Sequence, residues 1–228
     1  MAHGEVVVGN PQRVVGPHER EAEVPRNNAR VLVAVIAAAG WAAIMRRVSF
    51  GNPYLELGPY AAIVLLVALM TDWRNLWPQL RVRYRLIGLG GAVGVATVLA
   101  TYVAYDAAVA LVPALEAPVL ALYEEAGGES LATRLALVSV IIAAEEVLFR
   151  GAFFDYVRAR RGTAVAAAAS VIVYATVVGA EGSWIIVAIG LLMGGIWTLL
   201  KVRTGSLIPP LIAHLVWTPA VIILWPVV

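Results

Sequence analysis

The chain has no cysteine and little charge. Of its 228 residues, 14% are charged, against about 25% in soluble domains. Without cysteine there is no disulfide, no thiolate zinc finger and no thiol nucleophile. A net charge of +2 leaves no electrostatic footprint for a nucleic-acid partner. Histidine is also scarce, with three in the whole chain. The sequence contains no His-Glu-x-x-His, no Gly-x-Ser-x-Gly, no phosphate-binding P-loop and no Gly-x-Gly-x-x-Gly. Those absences exclude the usual zinc-protease, serine-hydrolase and nucleotide-binding signatures.

What is present is apolar. Hydrophobic residues make up 61% and the mean hydropathy is +0.83, well above a soluble domain. Residues 1–30 form an exception, polar and broken by Pro11, Pro17 and Pro25. They read as a disordered cytoplasmic tail, without the short apolar core and small-residue cleavage site of a signal peptide. From residue 31 onward the chain reads as one transmembrane domain, 31–228. A spanning helix needs about 20 apolar residues. Seven blocks approach that: 31–45, 54–71, 86–112, 132–149, 163–180, 184–200 and 206–226. The expected fold is therefore all-α, a polytopic bundle of about seven transmembrane helices in a lipid bilayer. Gly90 with Gly94, and Gly190 with Gly194, are small-xxx-small pairs, which let membrane helices approach closely.

The basic residues are sorted. All of the 17 except Arg46, Arg47 and Arg134 fall in the tail or in the connections after the second, fourth and sixth blocks. The positive-inside bias makes that side cytoplasmic and predicts an integral protein of the plasma membrane with its N-terminus inside. The segment Trp73 to Arg85 mixes tryptophan with arginine and reads as interfacial.

Ionisable residues within apolar segments are costly, and each is a functional candidate. Glu56 and Glu181 fall at helix ends, where an interfacial or exposed position is expected. Tyr105-Asp106 is similar to half of a presenilin-type aspartyl site, but no Gly-x-Gly-Asp accompanies it. Asp106 is therefore expected to be structural. Glu145, Glu146 and Arg150 lie in Ile-Ile-Ala-Ala-Glu-Glu-Val-Leu-Phe-Arg-Gly, apolar on both sides. Residues i and i+4 share a helix face, so Glu146 and Arg150 can pair. Glu145 lies about 100° around the helix and is expected to face a different surface. Two carboxylates in unlike environments fit acid/base chemistry, and fit equally a charge-neutralised tie between helices. His214 is the only histidine outside the tail, at a depth where it can meet Glu145. One histidine with carboxylates is a poor zinc site, and no metal or cofactor is expected.

The segment Glu145-Glu146-Val147-Leu148-Phe149-Arg150-Gly151, with the later Arg203-Thr204-Gly205-Ser206-Leu207, Pro209 and His214, resembles the CPBP family. These are the CAAX-protease and bacteriocin-processing (Abi) membrane proteases. The resemblance covers about residues 130–220. It implies an intramembrane glutamate-type endopeptidase acting on a membrane-associated or membrane-embedded peptide or protein. It carries water activation to Glu145, the rest of the first box to Glu146 and Arg150, and oxyanion stabilisation to His214. Two positions depart from the family. The middle motif, Phe-x-x-x-His, is here Tyr174 to Val178, with valine for histidine. The last box, His-x-x-x-Asn, is here His214 to Thr218, where Thr218 keeps one hydrogen-bond donor. The departures leave a second expectation open: a catalytically impaired relative acting as a membrane binding, chaperone or immunity protein.

Overall fold

Punctuation in the sequence fixes where the helices begin and end. The Ser130 and Ser183 hydroxyls accept from the backbone N–H groups of Thr133 and Ile186, at 3.2 and 3.4 Å, and so cap two helices. Gly205, at φ 65°, closes a third in the left-handed conformation that a side chain disfavours. Pro209 and Pro210 open the last helix, where their missing N–H groups cost nothing.

The computed structural model describes residues 32–46, 53–125 and 129–227, and the tail expected at 1–30 lies outside them. The described residues contain helices and no strands. In chain order these are α1 (Leu32–Arg46), α2 (Pro53–Leu76), a 3₁₀ turn (Trp77–Leu80), α3 (Tyr84–Leu111) and a second 3₁₀ turn (Pro113–Leu115). There follow α4 (Glu116–Glu125), α5 (Leu131–Glu145), a π-helical segment (Glu146–Phe153), α6 (Phe154–Arg161) and α7 (Thr163–Val178). A 3₁₀ turn (Gly179–Glu181), α8 (Trp184–Thr204), α9 (Ile208–Thr218) and a second π segment (Pro219–Leu224) complete the chain.

The protein is an all-α membrane bundle. Four helical runs are long and apolar enough to cross a membrane: Leu55–Leu80, Tyr84–Leu111, Thr163–Glu181 and Trp184–Thr204. Leu32–Arg46 and Ile208–Leu224 are apolar but shorter. The remaining expected span is the unbroken helical run α5–π–α6, whose apolarity is interrupted by the buried charges at its centre. The sequence reading has no counterpart for α4, which lies in the acidic connection after α3. Tyr123 of α4 donates to the Val221 carbonyl at 3.0 Å and so ties α4 to the end of the bundle.

α2 packs against α5, α3 against α9, and α7 against α8. Trp41, Leu57, Ala61, Ile142, Phe149 and Val177 lie in the largest apolar cluster, which joins α1, α2, α5 and α7. Both glycine pairs act at close crossings. A Cβ on Gly90 would lie 2.7 Å from the Pro209 carbonyl oxygen, and one on Gly94 would lie 2.7 Å from Val216 Cβ. α3 therefore touches α9 nearly backbone to backbone. The outer face of α3 carries exposed Val95, Leu99 and Val103, as a lipid-facing helix does.

The segment expected to be interfacial also anchors the bundle. The Trp73 and Trp77 rings stack at 4.7 Å. The Gln79 carbonyl accepts from the Leu207 N–H at 3.0 Å and the Ser206 hydroxyl at 2.8 Å. The Gln79 side-chain amide donates to Asp155 at 2.6 Å, and buried Lys201 donates to its carbonyl oxygen. One residue thereby joins the α2–α3 connection to α6, α8 and the start of α9.

The α3–α9 crossing yields a stability prediction. Gly94→Leu is expected to lower the unfolding free energy by about 1–3 kcal/mol through overpacking. Gly91→Ala, whose Cβ meets nothing within 4 Å, should raise stability by up to about 1 kcal/mol through helix propensity. Thermal unfolding in detergent micelles compares the two.

Candidate active site

Five helical elements bring polar groups together in the middle of the apolar bundle. α5 ends at Glu145, and the π segment supplies Glu146 and Arg150. α7 supplies Tyr174, α8 supplies Gly194, Trp197 and Thr198, and α9 supplies His214. Glu145, Glu146, Arg150, Thr198 and His214 are all buried, with Arg150 at 0% exposure and Glu146 at 1%.

The expected Glu146–Arg150 pair is present, with Nη1 3.4 Å from Oε1. The same carboxylate oxygen lies 2.9 Å from His214 Nδ1. Arg150 also donates from Nε to the Thr198 hydroxyl at 3.4 Å and from Nη2 to the Gly194 carbonyl at 3.3 Å. Its guanidinium lies 4.0 Å from the centre of the Tyr174 ring. Although the sequence reading grouped Arg150 with the cytoplasmic arginines, it is an interior residue.

The structure corrects the expectation for Glu145. It does not turn to a separate surface: its Oε2 lies 3.7 Å from His214 Nε2, so the imidazole sits between the two adjacent glutamates. The physical reason lies in the ring: its two nitrogens face different directions, so one imidazole seated between the end of α5 and the start of the π segment reaches both carboxylates. Glu145 also accepts a hydrogen bond from the Tyr174 hydroxyl at 3.3 Å. The His214 ring stacks on Trp197, with centroids 5.5 Å apart and planes at 25°.

With its proton on Nδ1, a neutral His214 donates to Glu146 and presents a bare Nε2 toward Glu145. A protonated ring donates from both nitrogens. The arrangement can thus hold a proton between two carboxylates without exposing any charge to lipid.

Of the other sequence candidates, Thr218 shares α9 with His214 and Val178 shares α7 with Tyr174. Thr218 follows His214 by one helical turn, and its buried hydroxyl has no hydrogen-bond partner among the described residues. Val178 packs against the apolar core, and a Cβ on Gly190 would lie 3.1 Å from its Cγ2. Glu181 is half-buried in the 3₁₀ turn after α7 rather than exposed. Asp106 and Glu56 are exposed on α3 and α2. No group of three or more His, Asp or Glu side chains among the described residues is arranged to hold a metal ion.

Sequence reasoning confined to ionisable groups passes over Tyr174, Gly194 and Thr198. The glycine is more than a packing residue: a Cβ there would lie 2.8 Å from Tyr174 Cδ1 and 3.0 Å from Arg150 Nη2. The i, i+4 spacing of Gly194 and Thr198 on α8 is the signal that places both on the arginine's face.

Residues 128–219 match the family model for type II CAAX prenyl endopeptidase Rce1-like proteins. Comparison with curated proteins gave no match. Comparison with solved structures also gave none.

Removing one partner of a buried ion pair strands the other. Arg150→Met is expected to destabilise the bundle by about 3–5 kcal/mol. The double variant Arg150→Met/Glu146→Gln should recover part of that loss. Equilibrium unfolding in detergent, read as a double-mutant cycle, measures the coupling.

Proposed function

We propose that this chain is an intramembrane endopeptidase of the CPBP/CAAX-protease family, whose model matches residues 128–219, and that it cleaves its substrate with water activated by Glu145. The observation that carries the reading is the buried Glu145–His214–Glu146–Arg150 cluster within the matched segment.

Each group has a role in the proposed reaction. Glu145 takes a proton from water as the oxygen attacks the scissile carbonyl carbon. The carbonyl becomes a tetrahedral oxyanion, stabilised by N–H donation from protonated His214 and by the Thr218 hydroxyl. Glu146 holds the ring through Nδ1, and Arg150 holds Glu146 in place. Collapse of the intermediate breaks the C–N bond, and the proton held by Glu145 passes to the leaving amine. The carboxylate is restored and no cofactor is consumed. The substrate is a peptide or protein held at or in the bilayer.

A second reading has one observation in its favour. Val178 is apolar where the family resemblance expects histidine, and it is packed into the core. A chain impaired in this way would bind membrane peptides without cutting them, as a chaperone or immunity protein.

The reading extends to placement in the cell. Residues 1–30 are assigned to a cytoplasmic tail, and the protein to the plasma membrane with its N-terminus inside. The sorting of arginines supports this orientation.

Two experiments test these proposals. Purified protein in liposomes, incubated with prenylated and unprenylated membrane peptides, should cleave at least one of them. Glu145→Gln should lose about 10²–10⁴-fold of that activity, the usual contribution of a general base. Peptide binding without cleavage by the wild type would favour the second reading. The chain has no cysteine, so single cysteines can report orientation. In intact cells, an impermeant maleimide should label a cysteine at Ser183 and spare one at Arg161. The opposite pattern would reverse the topology.

A further inference from the structure

The Tyr174 ring is immobilised. It packs edge-on against Phe149 at 5.3 Å, lies under the Arg150 guanidinium at 4.0 Å, and fills the space left by the missing Cβ of Gly194. Phenylalanine would fill the same volume, so packing alone does not require the hydroxyl. A hydroxyl taken out of water costs free energy unless it finds a partner. Here the partner is Glu145 Oε2, which also faces His214 Nε2.

We infer that Tyr174 is a positioning residue for Glu145, its hydroxyl anchoring one carboxylate oxygen so that the other meets the attacking water. The inference rests on the proposed role of Glu145 as the base. Both polar neighbours of Glu145 reach the same oxygen, Oε2. Oε1 is then the oxygen that accepts the water proton, while Tyr174 keeps its own proton throughout. The anchor also holds the carboxylate against rotation, on a ring packed by Phe149, Arg150 and Gly194.

The test compares wild type, Tyr174→Phe and Glu145→Gln in liposomes, using a membrane peptide that the wild type cleaves. Tyr174→Phe should retain the wild-type melting temperature and KM but lose about 10- to 100-fold in kcat, the range for one hydrogen bond to a charged group. Independently of turnover, infrared difference spectra identify the Glu145 carboxyl band as the one missing from Glu145→Gln. That band should shift in Tyr174→Phe. An unmoved band, or an unchanged kcat beside a Glu145-dependent wild type, overturns the inference while leaving the proposed function standing. Cleavage that survives Glu145→Gln overturns the proposed function instead. If the wild type cleaves none of the peptides, the band alone decides whether Tyr174 sets the position of Glu145.

Discussion

Arg150 is fully buried in the middle of a membrane bundle, and the rest of the centre is arranged to make that possible. An unpaired charge at such a depth costs several kcal/mol at least, and lipid offers no hydrogen-bond partner. The guanidinium is therefore met by the Glu146 carboxylate, the Thr198 hydroxyl, the Gly194 carbonyl and the face of Tyr174. These partners come from the π segment, α7 and α8. His214 brings in α9 through Glu146. One cation thus ties together four helical elements, and the carboxylates take their positions from it.

Close backbone approach supports this arrangement. Arg150 reaches the Gly194 carbonyl because no side chain stands between them, and α9 lies against α3 because Gly90 and Gly94 admit it. At the other end of α9, Gln79 binds Ser206 and Leu207 and sets where that helix begins. His214 is therefore held from both directions: along its helix by Gln79, and across it by the Trp197 ring and Glu146.

Long apolar runs made most spans legible, because the bilayer imposes length and apolarity on each helix separately. The short α1 and α9 also stand out as apolar blocks, whereas α4, which falls below that length, gave no signal. The Glu146–Arg150 pair was legible because it needs only i, i+4 spacing. The meeting of Glu145 with His214 was legible as a shared depth on two helices, whereas the engagement of both glutamates by one ring was not, because it depends on how α9 packs against the end of α5 and the π segment. Tyr174 was legible only as the aromatic position of the middle motif, because its contacts with Arg150 and Glu145 depend on the missing Cβ of Gly194 that seats its ring.

The convergence of two glutamates on one imidazole also bears on how their work is divided. Glu146 Oε1 is engaged by a permanent cation and by Nδ1 at 2.9 Å, so protonating that carboxylate would strand Arg150. Glu145 has no arginine within ion-pair distance among the described residues, and its contact with the histidine is longer, at 3.7 Å. A group that must gain and then release a proton in each turnover needs two charge states that its surroundings tolerate about equally. In the proposed reaction, that criterion gives proton transfer to Glu145 and the fixed counter-charge to Glu146. Burial among apolar helices strengthens the distinction, because in a low dielectric the stranded arginine would cost far more than in water.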